Sequence, residues 1–225
     1  MLKRELLRRA DVPDGEELEL YSHGDDFMIV CNRNELMSTR MQFSEEQLSD
    51  LTLDRLKTDA PHMLIGGYGM GFTLRAALKR MGPKGRATVV ELVPEIIDWA
   101  KGPMKHFEDG CLDDPRVMLV MADVAGPIEN AARQNGVYDA ILLDVDNGPD
   151  GFVRDDNNKL YGIRMLDMAR HALNPGGVLS IWSAAPDPQF TRRLEKAGFD
   201  VEVREVRARP NNKGGRHTIW FAHKR

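Results

Sequence analysis

From residue 60 onward, short apolar runs alternate with stretches in which apolar residues recur every three or four positions. The first pattern is typical of buried strands and the second of amphipathic helices. Alternation of the two predicts a parallel sheet covered by helices on both faces. The predicted strands are 63–65, 87–91, 117–121, 140–143 and 178–182, and the predicted helices are 72–81, 94–101, 127–135 and 160–173.

The end of the chain breaks this alternation. A helix at 190–197 is followed by two apolar runs, 201–207 and 217–222, which are joined by the polar, glycine-rich segment 210–215. Such a segment predicts a hairpin rather than a helical crossover. We therefore expect a doubly wound, mostly parallel seven-stranded α/β sheet that contains one antiparallel strand.

The first fifty residues have a different pattern. Runs at 18–21 and 27–31 flank a polar turn and predict a β-hairpin. Ser44, with Gln47 three residues later, predicts a capped helix start. We expect a small N-terminal β-hairpin region at 1–52 and a main α/β domain at 53–225.

Composition narrows the class of protein. The chain has 225 residues and a formal net charge of -4, which disfavours a nucleic-acid partner. Cys31 and Cys111 have no disulfide or metal spacing, and none of the six histidines has a metal-ligand spacing. No apolar run has the length of a signal peptide or a membrane span. We expect a cytoplasmic, metal-free protein without a membrane partner, and a homodimer formed through the β appendage.

A glycine-rich turn lies between the first predicted strand of the main domain and its helix. Glycines allow positive φ and let a ligand touch the backbone, and the helix N-terminus that follows attracts an anion or an electron-rich edge. The alternative is a tight turn with no ligand. The predicted cofactor-binding residues here are Gly66, Gly67, Gly69, Met70 and Gly71.

Acidic residues follow the next three strands. Glu91 ends the second strand, where a carboxylate accepts ribose hydroxyl protons. Asp123 follows the third strand and could accept a proton from an adenine amine. Asp144 and Asp146 follow the fourth, and their spacing aims both side chains the same way, so they could hold an ammonium group and take its proton. The alternatives are solvated strand ends and an Asx turn at Asn147.

These motifs resemble the spermidine synthase (polyamine aminopropyltransferase) family, which has the fold of class I S-adenosylmethionine-dependent methyltransferases preceded in the chain by a small β domain. The resemblance implies that 53–225 is a nucleoside-binding, Rossmann-like catalytic domain. It also implies that Glu91 binds the nucleoside ribose, Asp123 the adenine and Asp144 the attacking amine. Leu92 and Val124 are further predicted cofactor-binding residues. The resemblance is carried by 65–67 and 73–75 at the glycine turn, by 90–97, by the Leu-Asp-Asp-Pro-Arg-Val segment 112–117, by Asp123, and by 139–144 and 173–179.

Two departures from the family pattern concern the substrates. Met70 stands where spermidine-forming members carry an acid that pairs with the amine of decarboxylated S-adenosylmethionine. A methionine removes a barrier against the carboxylate of intact S-adenosylmethionine, although packing is the commoner role of this residue. The family's Tyr-His-Glu type segment is replaced by 44–48, Ser-Glu-Glu-Gln-Leu.

Three functions therefore stay open. The first is transfer of an aminopropyl group from decarboxylated S-adenosylmethionine to a small-molecule polyamine acceptor, with Asp144 as the base and Asp146 as its partner. The second is methyl transfer from S-adenosylmethionine, which Met70 favours. The third is a non-catalytic nucleoside-binding subunit.

Overall fold

The fold contains two sheets. A computed structural model describes residues 4–13, 15–145, 160–211 and 213–225. The strands are β1 (Glu5–Asp11), β2 (Glu17–His23), β3 (Asp26–Cys31), β4 (Asn34–Ser38), β5 (His62–Gly66), β6 (Arg86–Glu91), β7 (Val117–Met121), β8 (Tyr138–Leu143), β9 (Leu173–Ser183), β10 (Phe199–Arg209) and β11 (Lys213–Lys224). The helices are α1 (Phe43–Leu53), α2 (Phe72–Arg80), α3 (Pro94–Lys101), α4 (Lys105–Glu108), α5 (Ala125–Gln134), α6 (Ile163–Ala172) and α7 (Pro188–Lys196), with a 3-10 turn at Cys111–Asp113.

The larger sheet has seven strands in the order β10-β11-β9-β8-β5-β6-β7. Strands β5 to β9 are parallel, and β11 runs antiparallel to both of its neighbours. The predicted doubly wound α/β fold is therefore confirmed, including its single antiparallel strand. The chain leaves β5 toward β6 and leaves β8 toward β9, so the direction of winding reverses between β5 and β8. Open α/β sheets bind ligands at such a switch point.

Alternate residues of β5 enter two different cores. Met63 and Ile65 pack with residues of α2 and α3, whereas Leu64 packs with residues of α5, α6 and α7. A strand that is buried on both faces reads as a continuous apolar run, which explains why this strand could be predicted from the sequence. Because β5 and β8 pack into both cores, the position of the switch point between them is fixed.

The N-terminal sheet is a four-stranded antiparallel meander in the order β1-β2-β3-β4. The predicted hairpin corresponds to β2 and β3. The outer strands β1 and β4 were not predicted because β1 is charged and mostly exposed and β4 is only five residues long. No helix among the described residues is long and apolar enough to cross a bilayer.

Helix α1 connects the two sheets. It begins at Phe43, with Gln42 at the N-cap, so the predicted capping box at Ser44 is wrong. Ser44 is fully buried and bonds to side chains rather than to the helix N-terminus. The helix packs on α2 and on strands β9 and β10. Although the proposed boundary assigns α1 to the region 1–52, the helix therefore lies on the larger sheet.

Candidate active site

Backbone hydrogen bonds join the ends of three strands at the switch point. The Asp144 amide donates to the Gly66 carbonyl at 3.0 Å, and the Gly67 amide donates to the Val90 carbonyl at 2.8 Å. Gly67 has φ +85°, and a Cβ at this position would lie 2.5 Å from the Asp144 carbonyl oxygen. The residue after β5 must therefore be glycine, because the backbone that carries Asp144 occupies the space of a side chain.

The glycine turn continues with two further left-handed residues. Gly69 has φ +55° and Gly71 has φ +76°, and Gly71 is the N-cap of α2. Both conformations are strained for a residue with a Cβ. The turn thus lets the chain pass from β5 into α2 with backbone atoms next to the cleft.

Glu91 is buried at the end of β6, and its carboxylate organises the adjoining loops. One oxygen accepts hydrogen bonds from the amides of Leu92 and Val93, at 2.8 and 2.9 Å, and the other accepts from the Tyr68 amide at 2.9 Å. Burial raises the pKa of Glu91, and these backbone donors oppose the rise because they favour the ionised form. Because Oε1 already accepts two hydrogen bonds, Oε2 is the oxygen better placed to accept a hydrogen bond from a hydroxyl.

Asp123 lies beyond β7 and is exposed on the rim of the cleft. It accepts a hydrogen bond from the Ala125 amide at 2.9 Å, at the first residue of α5. Val124 is buried beneath it, where its side chain would contact a Cβ at Gly66. A polar edge above an apolar floor suits a flat heteroaromatic ring.

A cleft collects these residues at the carboxyl ends of the strands. Its polar side chains come from three strand ends, and apolar side chains from the N-terminal sheet close the opposite wall. The lining consists of Val12, Leu18, Leu36, Met37, Gly67, Gly69, Val90, Glu91, Leu92, Val93, Ile96, Ala122, Asp123, Val124, Asp144, Val145 and Leu160.

Asp144 follows β8 directly, and its side chain reaches the first turn of α2. Its Oδ2 accepts a 3.0 Å hydrogen bond from the Thr73 hydroxyl. Burial raises the pKa of Asp144, and the bond from Thr73 opposes that rise. The carboxylate therefore lies in a site that favours uptake of a proton.

Glu45, on the first turn of α1, is a second acid in this region. Burial raises the pKa of Glu45, and the negative charge of Asp144 raises it further. Two neighbouring carboxyl groups of this kind favour a state with one proton between them. The same pair attracts a cation, because an ammonium group neutralises the repulsion.

Glu45 is connected through Ser44 to β11, which lies between β9 and β10 in the larger sheet. The Ser44 hydroxyl lies 2.6 Å from Oε2 of Glu45 and 2.8 Å from Nδ1 of His217 on β11. The His217 ring packs edge-on against Trp182, with centroids 4.7 Å apart. Hydrogen bonds thus connect the carboxyl pair of Glu45 and Asp144 to His217, which is partly exposed.

The structure brings most of the predicted site residues together. Gly67, Gly69, Glu91, Leu92, Asp123, Val124 and Asp144 line the cleft, and Gly66 and Gly71 flank it. Met70 is packed in the hydrophobic core and is not among the lining residues. Asp146 lies outside the described residues.

Sequence reasoning missed Glu45, Ser44 and His217 as members of this site. The segment around Glu45 was interpreted as a helix start, and His217 as part of a terminal strand. The apolar wall from Leu36 and Met37 was also missed. One available signal was the replacement of the resembled family's Tyr-His-Glu type segment by 44–48, Ser-Glu-Glu-Gln-Leu, a segment that contains two acids.

No protein-family model matches the chain. Its sequence is 28% identical over 172 residues to the polyamine aminopropyltransferase of Mycobacterium tuberculosis (strain CDC 1551 / Oshkosh), a match that covers 76% of this chain and 30% of the relative. It is 33% identical over 149 residues to polyamine aminopropyltransferase 1 of Streptomyces coelicolor, with 62% and 27% covered. The matches thus span less than a third of these two relatives.

Solved structures agree with the fold. A spermidine synthase from Thermotoga maritima superposes with a TM-score of 0.76 at 21% identity, covering 100% of this chain and 75% of that one. A spermidine synthase in complex with the transition-state analogue AdoDATO gives 0.77 at 22% identity, with the same coverage. The chain is thus similar in sequence to polyamine aminopropyltransferases and shares the fold of these spermidine synthases.

Proposed function

We propose that this spermidine synthase-like protein is a transferase that moves an aminopropyl group from decarboxylated S-adenosylmethionine to an amine of a polyamine. The observation that carries the proposal is the carboxyl pair of Glu45 and Asp144, of which Asp144 lines the cleft. Both substrates are cations, and a cleft with several acids and a polar switch point suits them. The similarity to polyamine aminopropyltransferases supports the same reaction.

In this proposal the donor lies along the strand ends. Glu91 accepts hydrogen bonds from the ribose hydroxyls, and Asp123 accepts one from the adenine amine above Val124. Gly67 and Gly69 let the donor approach the backbone, and Leu92 supports the ribose. The apolar wall from the N-terminal sheet packs against the donor and excludes water from the reacting carbon.

Asp144 acts on the acceptor. A primary amine with a pKa of about 10 is protonated at neutral pH and cannot attack. A carboxylate that binds the ammonium and takes one proton supplies the free amine next to the donor. The nitrogen then displaces the thioether in line, and the sulfonium leaves as a neutral sulfide without acid assistance.

A second candidate is methyl transfer from S-adenosylmethionine. Met70 favours it, since the glycine turn lacks the acid that pairs with the amine of decarboxylated S-adenosylmethionine in spermidine-forming proteins. The third candidate is a non-catalytic nucleoside-binding subunit.

Calorimetric titration separates the three functions. S-adenosylmethionine and its decarboxylated form differ by one carboxylate, so each is titrated into the same protein. Tighter binding of the decarboxylated form, followed by product formation with a panel of polyamines, is the expected result. Tighter binding of intact S-adenosylmethionine favours methyl transfer, and binding without turnover favours the non-catalytic function. Binding of neither contradicts all three.

The assembly and location are also proposed. We propose a cytoplasmic homodimer that takes a small-molecule amine as its partner and no nucleic acid. Light scattering coupled to gel filtration tests the dimer, for which a mass of twice 25.4 kDa is expected. A mass of 25.4 kDa at assay concentration contradicts it.

A further inference from the structure

Ser44 joins two titratable groups that come from opposite ends of the chain. Its hydroxyl is 2.6 Å from Oε2 of Glu45 and 2.8 Å from Nδ1 of His217. Ser44 itself is fully buried, whereas Glu45 and His217 are each partly exposed. Hydrogen bonds thus connect Glu45, a member of the carboxyl pair, through Ser44 to the imidazole ring of His217 on β11.

A second observation marks the His217 end of this line of hydrogen bonds. The neighbouring Trp182 side chain is 7% exposed, and its Nε1 has no hydrogen-bond partner among the described residues. A buried N–H without an acceptor is destabilising by about 1–3 kcal/mol, so such groups are rare in folded proteins. A buried, unpaired N–H group thus lies next to the His217 ring.

The single proton of Ser44 allows two arrangements. When Glu45 is ionised, the Ser44 hydroxyl donates to Glu45 and its oxygen accepts from Nδ1–H of His217. When Glu45 is protonated, its hydroxyl donates to Ser44, and Ser44 donates to an unprotonated Nδ1. The tautomer of His217 therefore follows the protonation of Glu45, and a proton can be passed between them without any side chain changing position.

We propose that Glu45, Ser44 and His217 form a proton relay that removes the proton lost by the acceptor amine beside Asp144. This inference rests on the proposed function and assigns Ser44 and His217 as positioning residues. They act through Glu45 and do not touch the substrate.

The relay accounts for the proton that is released in each turnover. The acceptor ammonium gives one proton to the carboxyl pair, and its nitrogen then forms the new C–N bond while the C–S bond breaks and its electron pair stays on sulfur. The product nitrogen is again positively charged, so one proton must leave per turnover. Glu45 passes it to the Ser44 oxygen, Ser44 passes its own proton to Nδ1 of His217, and the imidazolium releases one to solvent.

The surroundings of the line favour proton uptake at Glu45 and proton release from His217, so the step between them is uphill in free energy and is completed by loss of the proton to solvent. Asp144, at the end of β8, and Glu46, next to Glu45 on α1, both raise the pKa of Glu45, and burial raises it most. Glu45 therefore takes up a proton readily. Burial lowers the pKa of His217, so an imidazolium formed there gives up its proton readily.

The first test needs no substrate. Nitrogen-15 NMR of the full chain labelled at histidine distinguishes the Nδ1–H and Nε2–H tautomers of His217. We expect the Nε2–H form at a pH where Glu45 is protonated and the Nδ1–H form where it is ionised. Ser44→Ala should abolish this exchange and Ser44→Thr should keep it. A wild-type tautomer that stays constant while Glu45 titrates overturns the relay, whatever reaction the protein catalyses.

The second test uses turnover. Ser44→Ala and His217→Gln should lower kcat about tenfold, less than the loss of a direct base, and leave the dissociation constant of the donor unchanged; Ser44→Thr should restore kcat. Ser49→Ala is the matched control, because Ser49 is another fully buried serine of α1 whose hydroxyl has no partner among the described residues. If Ser44→Ala turns over at the wild-type rate, the relay is wrong. Failure of the proposed function is a separate result, since it appears as absent turnover in wild type.

Discussion

The Thr73 hydroxyl donates a 3.0 Å hydrogen bond to Oδ2 of Asp144. Thr73 is in the first turn of α2, and Asp144 is the first residue after β8, so the bond joins the helix that follows the glycine turn to the end of β8. A donor to a carboxylate favours its ionised form, which opposes the effect of burial on the pKa of Asp144. Thr73 therefore tunes the group that we propose as the base.

Thr73→Val should move the pH dependence of turnover. Valine keeps the branched shape but removes the donor, so the pKa of Asp144 rises further. Because the base must be ionised to accept a proton, the acidic limb of the kcat profile should move up by about one pH unit. Thr73→Ser keeps the hydroxyl and is the control. An unchanged acidic limb in Thr73→Val would show that Asp144 is not the titrating group.

Asp144→Asn should lower kcat by a factor of about 10² or more, because an amide cannot accept the ammonium proton. Donor affinity should stay within about threefold of wild type, since the ribose and adenine contacts come from Glu91 and Asp123. Single-turnover kinetics and calorimetry measure the two quantities. Glu195→Gln, an exposed change on α7, is the control. Wild-type turnover in Asp144→Asn would refute its role as the base.

Gly67→Ala should destabilise the protein and weaken donor binding together. Its Cβ would lie 2.5 Å from the Asp144 carbonyl oxygen, and the backbone has φ +85°. Strain of this kind costs about 1–3 kcal/mol, and relief requires Asp144 to move. Urea unfolding and calorimetry measure both effects.

Gly126→Ala is the matched control for that change. No atom lies within 4 Å of a Cβ at Gly126, and the residue is in the first turn of α5. Its free energy of unfolding should be unchanged or higher by at most about 1 kcal/mol. Equal effects of the two substitutions would contradict the close packing at Gly67.

The positions of the switch-point residues could be predicted from the sequence because they follow from local patterns. Asp144 comes directly after an apolar strand, and the carboxyl ends of parallel strands meet at one edge. Gly67 stands between a strand and a helix, where a left-handed residue is required. Each inference needed only neighbouring residues and the rule for where open sheets bind ligands.

Glu45 could not be predicted in the same way. Its neighbours form an ordinary polar helix start, and its role depends on α1 packing across α2 and the larger sheet. His217 reaches Ser44 only because β11 is inserted between β9 and β10. Contacts between parts of the chain so far apart leave no periodic signal in the sequence. Met70 shows the opposite case, because the family resemblance predicted it as a site residue and the structure packs it in the core.

Glu45→Gln should change the pH dependence of stability. Burial and Asp144 raise the pKa of Glu45 in the folded protein above its value of about 4.3 in the unfolded chain. The folded state then binds more protons than the unfolded state between these two pKa values, so the free energy of unfolding falls as the pH rises through that window. Glutamine does not titrate, so in Glu45→Gln the free energy of unfolding should no longer fall with pH on account of this residue.

We expect wild type and Glu45→Gln to have similar free energies of unfolding at pH 5, and the variant to be more stable by about 1 kcal/mol or more at pH 8.5. Urea unfolding at the two pH values measures the difference, and Glu195→Gln on the exposed face of α7 should shift neither value. A variant that loses equal stability at both pH values would mean that Glu45 is held by hydrogen bonding alone. In that case the repulsion between Glu45 and Asp144, on which the binding of a cationic acceptor depends, would be absent.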